Sequence, residues 1–131
     1  MSWGYTFFPP KQLPLTPEAL SDETVGTFVP DDLHAVQTAI AAHLPQIAWT
    51  PGDGVVFARG KVTEDDADFE FTLLDQEDAS TPTLIVGVRC SGRIDSEPFA
   101  QRLCDATGWI AFDDRAYLFQ PNLPPMSGGG G

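Results

Sequence analysis

A strict alternation of apolar and polar side chains over residues 69 to 73 (FEFTL) most constrains the fold of this chain. A two-residue period is typical of a β-strand with one buried face. Apolar runs at residues 55 to 62 and 83 to 90 predict a strand on either side of it. Since turn-forming segments separate the three runs, we expect them to pair as a meander. The nearly continuous apolar character of the third run predicts a central strand that is covered on both faces.

Two helices are predicted around these strands. Residues 31 to 44 carry apolar side chains at helical spacing and begin with two carboxylates, and Pro45 ends the helix. The second helix is expected to begin after Ser96, as its N-cap, and to end at Gly108 as the left-handed residue. Both helices have one apolar face, so both are expected to pack on the sheet.

The remaining segments predict one domain over residues 1 to 120. Residues 1 to 30 read as an edge strand at 4 to 8 followed by an extended arm interrupted by prolines, which cannot donate to a β-ladder. A hairpin over residues 109 to 120 closes the domain. The last segment, 121 to 131 (PNLPPMSGGGG), is expected to be a flexible tail. The predicted class is α+β, with a largely antiparallel β-sheet and two main helices packed on one face.

The chain is strongly acidic, with 19 Asp and Glu against 7 Lys and Arg and a formal net charge of −12. Such a charge repels nucleic acid and anionic membranes and attracts basic proteins, so neither nucleic acid nor a membrane is an expected partner. In many proteins, however, an excess of acidic residues serves only to keep the protein soluble. No apolar run approaches the length of a membrane helix, and the first residues lack the pattern of a signal peptide. The expected location is therefore the cytoplasm.

Much of the negative charge lies in turns, and residues 63 to 78 contain eight acids and no base. If these turns lie on one rim of the sheet, they form a negative surface that steers a cationic partner into contact. The alternative is that they are solvated turns with no further role. On charge density, the predicted partner-binding residues are Glu64, Asp65, Asp66, Asp68, Asp75, Glu77 and Asp78.

Evidence for catalysis or metal binding is weak in this sequence. An EF-hand loop starting at Asp65 fails, since glycine is required at its sixth position and glutamate stands there. His34 and His43 are nine residues apart on one helix and face opposite sides, so they cannot share a metal ion. Cys90 and Cys104 are expected to be two buried thiols rather than a disulfide. No catalytic residue, metal or cofactor is therefore predicted, although a Mg²⁺ site among the acids stays physically possible.

The chain resembles one known family of proteins. The resemblance rests on the order of elements, the size, the charge and residues 98 to 113 (PFAQRLCDATGWIAFD). The chain resembles the small acidic immunity proteins that bacteria encode beside toxins of interbacterial competition. The resemblance implies a non-catalytic antitoxin that neutralises a cognate, basic toxin by stoichiometric binding. Two other functions stay open: an adaptor or chaperone for a secreted effector, docking through the arm or a sheet edge, and a small metal-dependent enzyme. Self-association is also left open by the sequence.

Overall fold

The protein is described from a computed structural model over residues 2–64, 67–76, 81–91 and 96–126. One sheet has the strand order β2-β3-β4-β5-β1-β6-β7-β8, and all neighbours in it are antiparallel. Two helices complete the fold, and short 3-10 turns cover Pro17–Ala19 and Pro30–Asp32. The predicted α+β class is confirmed. The elements are β1 (Ser2–Phe8), α1 (Leu33–His43), β2 (Ala48–Pro51), β3 (Val56–Glu64), β4 (Ala67–Asp75), β5 (Leu84–Ser91), α2 (Glu97–Thr107), β6 (Ile110–Asp113), β7 (Leu118–Gln120) and β8 (Leu123–Met126).

The main core lies between one face of the sheet, here the inner face, and the two helices. Phe99 of α2 stacks on Phe69 of β4 with ring centroids 3.8 Å apart. Ile40 of α1 and Leu103 of α2 are completely buried in the same cluster. Both helices therefore pack on one face, as predicted, because each has a single apolar stripe to bury.

The predicted meander is confirmed, since β3 pairs with β4 and β4 pairs with β5. The prediction that the third of these strands is covered on both faces is wrong. In β5 the side chains on the inner face are buried, whereas Arg89 and Ser91 on the outer face are exposed. The reason is that both helices lie on the inner face, so the outer face of β5 meets solvent.

The first strand lies in the middle of the sheet, so its predicted edge position is wrong. β1 pairs on one side with β5, where Tyr5 faces Val88, and on the other with β6, where Tyr5 faces Asp113. The prolines that suggested an edge follow Phe8 and lie outside the strand. Because every residue of β1 keeps its backbone N–H, the strand donates to both neighbours.

The proline-interrupted arm lies across the outer face at the β6 to β8 end of the sheet, where a second small core forms. Leu15, Ile110 and Leu118 are its fully buried members. The side chain of Gln120, also fully buried, accepts a hydrogen bond from the Leu15 backbone N–H and donates one to the Leu15 carbonyl, both at 2.7 Å. Gln120 therefore holds the arm as a neighbouring strand would.

The predicted flexible tail over 121 to 131 is wrong for residues 121 to 126, which form a turn and β8. Asn122 takes a positive φ of 64° in the turn, and its N–H donates to the Asp105 carboxylate. Met126 faces Leu118 of β7 and packs against the second core. Consecutive prolines are tolerated in β8 because it is an edge strand. Residues 127 to 131 lie outside the described part of the chain.

The other edge strand, β2, has no counterpart in the sequence prediction. Its Trp49 faces Gly60 of β3 across the ladder and packs on the inner face. A Cβ at Gly60 would lie only 2.7 Å from the Trp49 ring, so a side chain at this position would collide with the ring. Within the described residues, no helix is long and apolar enough to cross a membrane.

Candidate functional site

Carboxylates from four parts of the chain lie at one end of the sheet, the end at which β3, β5 and β6 finish and β1 and β4 begin. Asp68 at the start of β4 faces Ser91 at the end of β5. The Asp114 carboxylate accepts a hydrogen bond from the Gly4 N–H of β1 at 3.1 Å. We call the carboxylates at this end of the sheet the acidic rim. They belong to Glu64, Asp68, Glu97, Asp113 and Asp114.

The seven acids predicted from charge density do not form one group in the described part of the chain. Glu64 and Asp68 belong to the acidic rim, whereas Asp75 ends β4 at the opposite end of the sheet. Seven residues of extended strand place Asp75 roughly 23 Å from Asp68. The other predicted acids, Asp65, Asp66, Glu77 and Asp78, lie outside the described residues.

Arginine side chains neutralise part of the acidic rim. Arg102 of α2 forms an ion pair with Glu64 and so ties the helix to the end of β3. Arg115 bridges Glu97 at 2.9 Å and Asp113 at 3.0 Å. These arginines are half exposed, so solvent screens the ion pairs and they contribute little to stability. Their main consequence is that Glu64, Glu97 and Asp113 present little net charge to a partner.

Asp113 has a structural role in the turn between β6 and β7. Its side chain is 1% exposed and accepts hydrogen bonds from the backbone N–H groups of Arg115 and Tyr117, both at 2.9 Å. The hydrogen bond from the Arg115 side chain to Asp113 raises the pKa of Arg115, and the guanidinium lies 4.2 Å from the Tyr117 ring centre. This network fixes the turn and with it the position of the neighbouring Asp114.

Asp68 and Asp114 are the members of the acidic rim that keep their charge directed to solvent. Both are exposed. Asp68 accepts a hydrogen bond from the Thr63 hydroxyl at 2.7 Å, and Asp114 accepts one from the backbone of Gly4. Because these donors are neutral, the hydrogen bonds orient the two carboxylates without cancelling their charge.

The possible nucleophiles of the inner face are buried and protonated. Cys90 and Cys104 are buried free thiols, as predicted, and burial raises the pKa of each to about 12. Burial likewise raises the pKa of Tyr5 to about 12, and its hydroxyl lies 2.7 Å from that of Ser96. Ser96 thus makes a core hydrogen bond and no side-chain cap on α2. Thiols with such pKa values are weak nucleophiles near neutral pH.

The two histidines lie on different sides of α1, with His34 exposed and His43 half-buried. The hydroxyl of Thr38 donates to the His34 carbonyl, a contact that involves only the backbone of this histidine. Among the residues that the structure describes, no group of three or more His, Cys, Asp or Glu is arranged to hold a metal ion.

The outer face of β3, β4 and β5 is a second polar surface, which the sequence prediction missed. Three of the seven cationic residues of the chain, Arg59, Lys61 and Arg89, lie on it beside Glu70. Depressions of about 340 Å³ and 220 Å³ flank the pair Glu70 and Arg89. The two-residue period of each strand indicates which of its side chains share a face. The period does not tell which residues of different strands are neighbours on that face.

A comparison of the chain with models of protein families finds no matching family, and a comparison with curated proteins finds no significant match.

Proposed function

We propose that this chain is a non-catalytic binding protein of the immunity type, which neutralises a cognate basic toxin by forming a stoichiometric complex with it. The observation that carries the proposal is the pair of exposed carboxylates, Asp68 and Asp114, on the acidic rim. Their hydrogen bonds come from neutral donors, so both remain negative toward solvent. A cationic side chain of a partner would gain a charge-assisted contact at either one.

The net charge of −12 acts at longer range than these contacts. It attracts a basic protein over about one Debye length, roughly 30 Å at 0.01 M salt, and accelerates association by ~10- to 1000-fold. The fixed turn that carries Asp114 supports a surface organised before binding, which lowers the entropic cost of association. The buried, protonated thiols fit a protein that acts by occupying a surface.

The test is the association rate with the cognate toxin that the proposal expects to be encoded beside this gene, measured by stopped-flow fluorescence as salt is raised. We expect Asp68→Lys to slow association about tenfold at low salt, because it reverses a charge on the acidic rim. The matched control is Asp75→Lys, which makes the same change in net charge at the opposite end of β4. Equal slowing in both variants would show that only net charge matters, and unchanged rates in both would contradict the proposal.

A second candidate function, an adaptor for a secreted effector, is supported by the exposure of Leu13. This side chain is 45% exposed although it is large and apolar, and it lies in the arm. Deleting the arm would be a poor test because Leu15 fills the second core. The substitution Leu13→Ser leaves that core intact, so loss of effector capture with an unchanged melting temperature would favour the adaptor.

A further inference from the structure

A row of charged side chains crosses the outer face of the sheet at one level. Lys61 of β3 faces Glu70 of β4, and Glu70 faces Arg89 of β5. Arg89 in turn faces Gly4 of β1. The Asp114 carboxylate fills the space of the missing Gly4 side chain, with its Oδ1 3.2 Å from where a Cβ would stand. The row therefore reads positive, negative, positive, negative from β3 to β1.

The spacing of the charged row is close to uniform, since neighbouring strands lie about 4.8 Å apart. A row of four charges that alternate in sign at three equal steps is complementary to itself when it is reversed. Rotation by 180° about an axis parallel to the strands, midway between β4 and β5, places Lys61 of one copy over Asp114 of the other. The same rotation places Glu70 over Arg89, and each pairing occurs twice.

We propose that the outer face of β3, β4, β5 and β1 is a homodimer interface and that its occupant is a second copy of this chain. A two-fold interface requires a self-complementary patch, and the charged row satisfies that requirement. The proposal does not depend on the proposed toxin binding, but the two surfaces overlap, because the charged row includes Asp114 and Asp68 lies beside Glu70 on the same face. The Lys61 to Glu70 ion pair, at 3.4 Å and with Lys61 largely exposed, can accept a further partner on its solvent side.

The shape of the face agrees with this pairing. Sheets that pack face to face lie about 10 Å apart, a gap that lysine, arginine and glutamate side chains span from both sides. One depression lies over β3, β4 and β5, and the other lies over β4, β5 and β1. The first extends from the charged row toward Asp68 and Ser91, and the second extends from it toward Thr72 and Gly87. Thr6, Thr72 and Gly87 line the second depression with small side chains and leave space for those of the other copy.

The distribution of charge permits contact between two copies at this face. Two copies with a net charge of −12 repel each other at a distance. The charged row itself is neutral, because Lys61 and Arg89 balance Glu70 and Asp114. Arg59 lies one level further along β3 and adds a positive charge to the same face. Asp68 lies on this face as well, so its three cationic side chains are matched by Asp68, Glu70 and Asp114, and contact here adds little charge repulsion.

The test is a pair of charge reversals studied separately and then mixed. Glu70→Arg places arginine against Arg89 of the second copy, and Arg89→Glu places glutamate against Glu70. Each variant meets two repulsive pairs in its own dimer. When the two variants are mixed in equal amounts, the pairs become attractive again in the heterodimer. Controls with the same change in net charge are Glu18→Arg and Lys11→Glu, both at exposed positions on the arm.

Sedimentation equilibrium from micromolar to millimolar protein measures the result, with circular dichroism to verify folding. We expect the wild type and both controls to show twice the 14.2 kDa mass of one chain, each variant alone to show a single chain, and the mixture to recover the doubled mass. A wild type that stays at 14.2 kDa over the whole range would overturn the proposal. So would dimers that survive both reversals, or variants that dissociate and do not reassociate on mixing.

Discussion

The contact between Gln120 and Leu15 provides a sharp test of how the arm is held. The substitution Gln120→Leu keeps a side chain of similar size in the second core but removes both hydrogen bonds to the arm. In the wild type, the Leu15 N–H lies 2.7 Å from the Gln120 side-chain oxygen, and the Leu15 carbonyl lies 2.7 Å from the Gln120 side-chain nitrogen. Both backbone groups lose these partners in the variant. Since Leu15 is 1% exposed, water cannot replace them while the arm stays docked.

The expected loss of stability follows from the two backbone groups of Leu15 that are left without partners. Leaving a buried backbone donor or acceptor without a partner costs about 1–3 kcal/mol. Two such groups lower the free energy of unfolding by about 2–6 kcal/mol, a large part of the roughly 5–15 kcal/mol that holds a domain of this kind. If undocking the arm costs less than this, the arm will leave the surface and the remaining sheet will stay folded.

Urea unfolding and hydrogen exchange distinguish these outcomes. We expect Gln120→Leu to shift the urea midpoint downward and to make the Leu15 amide exchange at least tenfold faster than in the wild type. The control is Gln12→Leu, the same substitution at an exposed position of the arm, which should change neither quantity. An unchanged midpoint together with an unchanged exchange rate at Leu15 would refute the reasoning.

Two further predictions concern the inner face. Cys90 and Cys104 have native pKa values of about 12 against 9.0 for an ordinary thiol. The unfolded chain therefore loses both protons above pH 9 while the native state keeps them, so the stability present below pH 9 is lost as pH rises toward 12. The loss is about 1.4 kcal/mol per thiol per pH unit, and equal urea midpoints at about pH 8 and pH 10.5 would contradict it. For Gly60→Ala, a Cβ within 2.7 Å of the Trp49 ring predicts a loss of about 1–3 kcal/mol on thermal unfolding. Gly87→Ala is its control, because the nearest atom to a Cβ there is 3.8 Å away, and equal losses in both variants would count against the steric explanation.

Local patterns predicted most of the elements because their causes are local. The period of residues 69 to 73 identified β4, and the start and stop residues of the second helix identified α2, including Gly108 with its φ of 81°. The tail was misjudged for the same reason. Proline and glycine are typical of irregular chain, and only the partner strand β7 makes residues 123 to 126 a strand.

The candidate site was predicted less well, since it depends on residues far apart in the chain. Asp68 and Asp75 are close in sequence, but a straight strand separates them by its own length. Asp68 and Asp114 are far apart in sequence and share one end of the sheet. The charged row could not be predicted from the sequence either, because its residues become neighbours only through the register of four strands.

By itself, the sequence determined the class of the fold, the two helices, the burial of both thiols and the excess of negative charge. These properties follow from composition and from periods of two and 3.6 residues, which each segment carries alone. The tertiary structure alone decided that β1 is central, that Gln120 holds the arm, and which acids and bases are neighbours. Strand order and register are set by contacts between distant segments, and such contacts leave no period in the sequence of any one of them.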